Sequence, residues 1–168
     1  DDSFKSNVDG VENTIELAKR LKAKVCHIST CFVCGESDGL VEEDEPVLGF
    51  YPRRKNRDDH SFHFRDEIKL MRERVREVYE SAKASKENAK VTKQRLSDLG
   101  VQRAAQWGWV NTYTYSKSLG EQLLTGGSGL EYTIVRTAIV EAALEFPFPG
   151  WVEGGRTAAP LIMMAMSG

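Results

Sequence analysis

The sequence predicts an α/β fold in which helices pack on a parallel sheet and a long helical insertion separates the strands. Two short β-rich stretches, residues 24–35 and 130–136, are separated by segments of helical periodicity. The last of these segments begins at Thr112 and leads directly into the second stretch. Because a helix that joins parallel strands of one sheet forms a right-handed crossover almost without exception, we expect this helix to pack on the sheet.

Composition is typical of one ordinary globular domain. The 168 residues are 40% hydrophobic and 29% charged, with a formal net charge of -2, so charge gives no support to a nucleic-acid partner. No apolar run approaches the roughly 20 residues that a membrane-spanning helix needs, which leaves peripheral membrane contact and the oligomeric state open. Three cysteines without a signal-peptide pattern indicate a reducing compartment, predicted to be the cytoplasm. The chain opens on Asp1 rather than Met, and we interpret it as part of a longer protein.

The first helix is expected from Ser3 to Leu21, where apolar residues recur at helical spacing and charged residues occupy the other face. Gly10 lies inside this helix. Since glycine there costs about 1 kcal/mol relative to alanine, we expect another element to pack closely at that point.

The first strand is expected within Lys24–Gly35, a run of small and branched residues with almost no charge. This composition is typical of a strand that is buried on both faces of a parallel sheet. Ser29 and Thr30 stand where such a strand should end, and open α/β sheets bind their ligands at this end.

The middle of the chain changes character twice. Residues 35–59 are rich in glycine, proline and charged residues without a sustained period, which predicts an irregular surface segment. Residues 64–82 carry a narrow apolar seam on a charged background, and residues 88–99 continue in a helix-forming composition. We therefore expect one long helix or a helical hairpin over 64–99 that stops at Gly100. The whole insertion covers about residues 60–104 and is either a solvated, salt-bridged element or a lid or subunit contact.

The helix from Thr112 onward carries the candidate chemistry. Asn111 is placed to cap its first turn, and three leucines form one apolar stripe along it. Tyr113 and Lys117 stand four residues apart, so they share a face. An ammonium beside a phenol favours the phenolate, which makes this pair suitable for general acid chemistry. The Tyr-x-x-x-Lys pattern alone is weak evidence, because such pairs occur on many solvated helices.

Beyond this helix, residues 126–129 predict a turn and residues 130–136 the second strand. Residues 147–151 contain two prolines and predict irregular backbone. A small apolar helix is expected over 158–166. Its three methionines are either adaptable core residues or a lining for a flexible aliphatic chain.

Four motifs stand out along the chain. They are His27-Ile28-Ser29-Thr30-Cys31-Phe32-Val33-Cys34-Gly35, Asn111-Thr112-Tyr113-Thr114-Tyr115-Ser116-Lys117-Ser118-Leu119-Gly120-Glu121, Tyr132-Thr133-Ile134-Val135-Arg136-Thr137-Ala138-Ile139-Val140-Glu141 and Pro147-Phe148-Pro149-Gly150-Trp151-Val152-Glu153-Gly154. Together they resemble the extended short-chain dehydrogenase/reductases, and within them the fatty acyl-CoA reductases, also called male-sterility-type reductases. The last of the four is the proline-tryptophan motif that is specific to the acyl-CoA reductase branch.

The resemblance implies a Rossmann-type domain of which residues 1–168 are the C-terminal portion, and hydride transfer from NAD(P)H to a fatty acyl-CoA, giving an aldehyde or an alcohol. It implies that Tyr113 protonates the carbonyl oxygen as hydride arrives. Lys117 would favour the phenolate and hold the nicotinamide ribose, and Thr30 would donate a hydrogen bond to the substrate carbonyl. Loss of one such donor typically costs about 10²–10³ in rate.

Further positions match the family's cofactor and substrate regions. Those implied near the cofactor are Asn7, Thr137 and Val140, and those implied near the acyl-CoA substrate are Ser29, Pro149 and Trp151. Thr137 stands where the family usually has proline. No glycine-rich pyrophosphate motif precedes Asn7, so we expect a fragment that binds cofactor poorly alone. The family prefers NADPH, and NADH is not excluded.

The three cysteines of the first strand allow other interpretations. Because side chains alternate along an extended strand, Cys26, Cys31 and Cys34 do not suit a tetrahedral metal site, and no metal is predicted. We interpret them as small, buried apolar residues. Cys31 is also a candidate for covalent capture of an acyl group, although no general base stands beside it in sequence.

Other functions of the same fold remain alternatives. One is another extended short-chain oxidoreductase or an epimerase that acts on a nucleotide-sugar or a steroid-like substrate. The other is a catalytically silent scaffold that uses residues 64–99 as its interaction surface.

Overall fold

The computed structural model describes residues 2–37, 39–152 and 159–167. The chain divides into two compact units, residues 1–136 and 137–168. In the first unit, a parallel sheet of two strands is covered by helices, so the α/β class is confirmed. No helix in the described ranges is long and apolar enough to cross a membrane.

The chain begins with a helical segment that changes its winding. Helix α1 (Asp2–Phe4) continues through a π-helical turn (Lys5–Asp9) into α2 (Gly10–Leu21). The backbone stays right-handed at both junctions, so the predicted helix over 3–21 is confirmed. Its buried apolar side chains are Phe4, Val8, Val11, Ile15 and Ala18.

The prediction that another element packs closely at Gly10 is wrong. A Cβ built there meets only the carbonyl oxygen of Lys5 in its own helix, at an ordinary 3.6 Å. The glycine therefore opens no space for a neighbouring element.

Strand β1 (Val25–Thr30) is shorter than the predicted stretch, because Cys31–Cys34 form a 3₁₀ turn instead of continuing the strand. It pairs with β2 (Tyr132–Thr137), as expected for the crossover. Burial on both faces is wrong: positions alternate, and Ile28 is exposed while Ser29 and Thr30 are buried. The helix that begins at Thr112 packs against β1, whereas Cys26 and Ile28 of the strand face solvent.

The interpretation of the cysteines as buried residues is also wrong. Cys26 and Cys31 are exposed and Cys34 is half-buried. Cys26 shares the open face of β1 with Ile28, and the 3₁₀ turn directs Cys31 outward.

Two helices form a hairpin in the insertion, α3 (Phe64–Ala84) and α4 (Ala89–Trp107). The predicted stop at Gly100 is wrong, because α4 continues to Trp107 and ends on Gly108, whose φ of 97° is left-handed. Gly100 instead allows close packing: a Cβ there would lie 2.6 Å from Oγ1 of Thr112. The glycine at position 100 is thus required by a close helix contact and does not end the helix.

Helix α5 (Thr112–Thr125) lies at the centre of the first unit, in contact with α1, α2, α3, α4 and β1. Its predicted leucine stripe, Leu119, Leu123 and Leu124, is buried. An aromatic cluster packs beside it and joins the irregular segment before α3 to the end of α4. The cluster consists of Tyr51, Phe62, Trp107, Trp109 and Tyr115.

The second unit contains a loop and a short helix. Backbone hydrogen bonds of 2.8 and 2.9 Å connect Ala143 with Trp151 and Gly150, so residues 143–151 form a closed loop. The irregular backbone predicted for residues 147–151 is confirmed. Helix α6 (Ala159–Ser167) agrees with the small apolar helix expected there.

Candidate active site

The first turn of α5 presents the predicted tyrosine. The side chain of Asn111 accepts a hydrogen bond of 2.9 Å from the backbone N–H of Thr114, so the expected N-cap is present. This cap fixes where the helix begins and thus which way its side chains point. Tyr113, in the turn so fixed, is 47% exposed, and its phenol can be reached from solvent.

Lys117 lies one turn further along and reaches the sheet. Its Nζ donates a hydrogen bond of 3.0 Å to the backbone carbonyl of Ile28 on β1. Ile28 is two residues before Thr30, so the ammonium is held beside the carboxyl end of this strand. An ammonium has three donors and no acceptor, which leaves two more N–H groups for other partners.

Thr30 ends β1 and caps the 3₁₀ turn that follows. Its side chain is buried, and its Oγ1 accepts a hydrogen bond of 3.3 Å from the N–H of Phe32. This bond uses a lone pair, and a threonine hydroxyl keeps one hydrogen to donate. Ser29, the neighbouring residue, is buried as well. The end of the strand therefore carries two hydroxyl groups beside the residue whose carbonyl holds Lys117.

Asn7 lies against the same part of α5. Its Nδ2 donates a hydrogen bond of 2.9 Å to Oγ of Ser116, and Ser116 in turn donates to the carbonyl of Tyr113 at 3.0 Å. Gly120 permits this approach, because a Cβ there would clash with the backbone carbonyl oxygen of Asn7. The π-helical turn and α5 thus meet at Asn7, and π-helical turns are frequent at functional sites.

The neighbouring tyrosine, Tyr115, has a different environment. It is fully buried, and its hydroxyl donates to Glu67, which also receives two N–H groups of Arg103. Burial, and then the charge of Glu67, raise the pKa of Tyr115. The phenol of Tyr115 is enclosed and cannot reach a ligand, whereas that of Tyr113 is accessible from solvent. Tyr113 is therefore the better placed proton donor. Sequence reasoning did not find this network; the available signal was Glu67 beside Ile68 on the apolar seam of α3.

A second buried ion pair joins α5 to β2. Glu121 accepts hydrogen bonds from Arg136 at 3.0 and 2.6 Å, and its side chain is 1% exposed. Cys34 lies near this pair, and burial raises the pKa of its thiol. His27 faces Lys117 and Glu121, and burial, then the Lys117 charge, lower its pKa. A neutral imidazole is therefore expected beside Lys117, which avoids placing two cations together.

The remaining predicted residues belong to the second unit. Thr137 ends β2 half-buried, and Val140 is 76% exposed. Trp151 packs edge to face on Phe148, with ring centroids 5.2 Å apart, and Pro149 is exposed between them. Their implied roles stay predictions.

Comparison with known proteins gives a consistent result. The whole chain, residues 1–168, matches the NAD-binding family described as male sterility protein. An alcohol-forming fatty acyl-CoA reductase from Simmondsia chinensis is 36% identical over 160 residues, which cover 94% of this chain and 31% of that protein. Fatty acyl-CoA reductase 8 of Arabidopsis thaliana is 36% identical with the same coverage. The chloroplastic fatty acyl-CoA reductase 2 of A. thaliana is 29% identical over 94% of this chain and 25% of that protein.

The chain thus spans less than a third of the length of these curated relatives. Their match nevertheless includes nearly every element described above. It includes the helix that carries Tyr113 and Lys117.

Proposed function

The chain belongs to the male sterility protein family of NAD-binding proteins, and from this premise we propose that the intact protein reduces fatty acyl-CoA thioesters. The observation that supports this most directly is the position of Lys117, which joins the helix of Tyr113 to the carboxyl end of the strand that carries Thr30. Ligands of open α/β sheets bind at this end.

Each residue has a separate task in this proposal. Thr30 donates a hydrogen bond to the thioester carbonyl and stabilises the oxygen as negative charge develops on it. Tyr113 gives its proton to that oxygen. Lys117 then stabilises the phenolate that remains, because an ammonium beside a phenolate lowers its free energy. With hydride added to the thioester carbon, the resulting hemithioacetal returns its hydroxyl proton to the Tyr113 phenolate as its carbon–sulfur bond breaks. The coenzyme A thiolate leaves and takes a proton from solvent. The aldehyde that remains is converted to an alcohol by a second hydride transfer.

The donor set fits the ribose end of a nicotinamide cofactor. Lys117 has two N–H groups beyond the one that binds Ile28, and Asn7 supports the same turn of α5 from the other side. The nicotinamide supplies the hydride. We propose NADPH as the form used, with NADH as the alternative. Asn7, Thr137 and Val140 remain the proposed cofactor contacts, and Ser29, Pro149 and Trp151 the proposed substrate contacts.

The test uses the intact protein, since the chain spans less than a third of the length of the three relatives named above. Purified enzyme with a long-chain acyl-CoA should consume NADPH, followed by its absorbance, and produce aldehyde or alcohol, identified by mass spectrometry. Tyr113→Phe should lose about 10²–10⁴ in kcat, the usual contribution of a general acid. Turnover of a nucleotide-sugar and of no acyl-CoA would contradict the proposal.

Two control variants make the result specific. Tyr132→Phe removes an exposed phenol on β2 and should keep kcat within about twofold, as surface substitutions usually do. Cys31→Ala should also keep activity, because hydride goes directly to the thioester. Loss of activity in Cys31→Ala, together with activity in Tyr113→Phe, would favour a covalent acyl-cysteine instead.

The proposed compartment is the cytoplasm. One relative is named chloroplastic, so a plastid is the second candidate. Fractionation of cells that express the tagged intact protein distinguishes the two.

A further inference from the structure

One cavity of the first unit is lined by none of Thr30, Tyr113 and Lys117. It has a volume of about 790 Å³ and opens between the end of α3 and the beginning of α4. Residues at the start of α1 and the first residue of α5, Thr112, complete its wall. Thr112 is the residue before Tyr113 in sequence, and Tyr113 itself does not line this hairpin cleft.

The floor of the hairpin cleft is largely apolar and closed. Ala82, Thr92 and Leu96 are each 7–8% exposed and come from both helices of the hairpin. The half-exposed ring of Tyr79 forms part of the wall. An apolar floor beside an aromatic ring suits the face of a flat heterocycle, because a nucleobase stacks favourably on an aromatic side chain.

The rim is cationic. Lys83, Lys86 and Lys93 are exposed and line the hairpin cleft. Within residues 2–37, 39–152 and 159–167, none of the three forms an ion pair. Lys86 sits in the turn between the helices, with a left-handed φ of 51°. Three ammonium groups around one cavity favour a ligand that carries several negative charges.

Among the residues that the structure describes, two carboxylates also line the hairpin cleft, and they do not neutralise the ammonium groups of its rim. Glu87 is already bound to Arg95, at 3.2 and 3.1 Å, and to the hydroxyl of Thr92, at 2.9 Å. Its charge is thus compensated outside the cavity. Asp2 is exposed at the opposite wall. Among the described lining residues, the three ammonium groups therefore outnumber the carboxylate of Asp2.

We propose that the hairpin cleft binds the phosphorylated adenosine end of the acyl-CoA substrate, with the adenine over the apolar floor and the phosphates at Lys83, Lys86 and Lys93. This rests on the proposed function. A fatty chain alone would make no ionic contact with the three lysines. A free phosphate would leave the apolar floor and Tyr79 without a contact. The position beside Thr112 lets the flexible pantetheine arm extend toward Tyr113.

NADPH also carries a phosphorylated adenosine, so the experiment separates the two sources. Binding of adenosine 3′,5′-bisphosphate and of adenosine 2′,5′-bisphosphate to the intact protein is measured by calorimetry. The 3′,5′ compound, which matches coenzyme A, should bind and should compete with acyl-CoA. The proposal would be overturned if the lysine substitutions weakened binding of the 2′,5′ compound and not of the 3′,5′ compound. The hairpin cleft would then bind the cofactor.

Kinetics of lysine variants test the same assignment. Lys83→Ala, Lys86→Ala and Lys93→Ala should each raise KM for a long-chain acyl-CoA about two- to fivefold, since exposed charge contacts are individually weak. The triple variant should raise it about tenfold or more while kcat stays constant. The increase should become smaller at high salt, because screening already weakens the contacts in the wild type. Lys69→Ala, an exposed lysine of α3 outside the hairpin cleft, is the matched control and should leave KM unchanged.

A truncated substrate separates this proposal from the reductase assignment. An acyl-N-acetylcysteamine thioester lacks the nucleotide, so wild type and triple variant should reduce it with equal KM. An unchanged KM for acyl-CoA in the triple variant would overturn the cleft proposal and leave the reductase intact. Failure of the wild type to reduce either thioester would overturn the proposed function itself.

Discussion

Glycine residues show at the residue scale what a sequence can and cannot specify. Gly10, Gly100 and Gly120 all stand inside helices, where glycine is disfavoured, so each indicates an unusual demand. The structure gives them different reasons. Gly120 makes room for the carbonyl of Asn7, and Gly100 makes room for Thr112, whereas Gly10 faces open space apart from its own helix. The identity of the neighbour depends on tertiary packing, which local sequence does not contain.

Alanine substitutions at two of these positions should therefore have opposite effects. Gly10→Ala should raise the free energy of unfolding by about 0.5–1 kcal/mol, because alanine stiffens the unfolded chain and favours the helix. Gly120→Ala should lower it by about 1–3 kcal/mol, because the added methyl group must displace the π-helical turn. Urea denaturation of both variants measures the difference. Equal effects in both would show that the contact at Gly120 is not rigid.

The candidate site was predictable to the extent that local chemistry defines it. Asn111, Tyr113 and Lys117 follow from capping and four-residue spacing, and the cap is present as expected. The partners that hold them were not predictable. Asn7 is bound to Ser116 from more than a hundred positions away, and the Tyr115 hydroxyl is bound by Glu67 of another helix. Nothing in the local pattern specifies such pairs.

At the scale of elements, the irregular segment over 35–63 is better anchored than its composition suggests. The amide of buried Gln122 on α5 accepts from the N–H of Gly49 at 2.9 Å and donates to the carbonyl of Phe50 at 3.0 Å. The indole of Trp109 donates to the carbonyl of Val33, just before this segment, at 2.7 Å. The lack of periodicity correctly predicted irregular backbone, but it did not indicate these bonds from distant side chains.

One carboxylate makes this segment sensitive to acid. Asp59 accepts hydrogen bonds from the Tyr51 hydroxyl and from the N–H of Ser61, at 2.5 and 3.0 Å. The hydroxyl of Ser61, and then that of Tyr51, hold the pKa of Asp59 well below its usual value near 4. A carboxyl group whose pKa is lowered by folding stabilises the folded state. This stabilisation is complete above the pKa of the group in the unfolded state, and it is lost as the pH falls from there through the lower pKa of the folded state.

We therefore expect Asp59→Asn to flatten the acid side of the stability profile. The free energy of unfolding of the wild type should decrease more steeply than that of the variant as pH is lowered from about 5 to 3. Tyr51→Phe removes one partner of the same carboxylate and should flatten the profile in part. The free energy of unfolding is measured by urea titration at each pH. If it changed with pH in parallel for all three proteins, Asp59 would not cause the loss of stability in acid.

The helical hairpin was foreseen with its internal boundary left open. The seam of apolar residues predicts helices over 64–99 but does not say where one ends. The turn contains neither glycine nor proline, and Asn88, whose side chain accepts from the N–H of Lys90 at 2.8 Å, is the local signal that begins α4. At the far end, Glu67 and Arg103 join the two helices to Tyr115 of α5.

At the scale of the whole molecule, α5 explains why the first unit holds together. The two strands form a small sheet, so most of the core is helix packed on helix, and α5 contacts each of the long helices. Fold class and strand pairing were predictable from the change of period along the chain. The exposed face of β1 was not predictable. The composition of this strand is typical of strands that are covered on both faces of a larger sheet.

This arrangement predicts how stability is distributed along the chain. Leu119 is completely buried at the centre of α5, in the same core cluster as residues of α2, α3 and α4. Leu119→Ala should lower the free energy of unfolding by about 2–5 kcal/mol, through lost burial and the cavity left behind. Leu21→Ala, at a leucine that is 66% exposed at the end of α2, should change it by less than about 0.5 kcal/mol.

The same pair of variants also tests whether the first unit unfolds as one. Trp109 reports on the aromatic cluster beside α5, and far-UV circular dichroism reports on all helices. If α5 connects these elements, Leu119→Ala should shift the urea midpoints of fluorescence and dichroism by equal amounts, because a two-state transition moves every probe together. A shift confined to one probe would mean that the hairpin and the remaining helices unfold independently, and that α5 does not couple them.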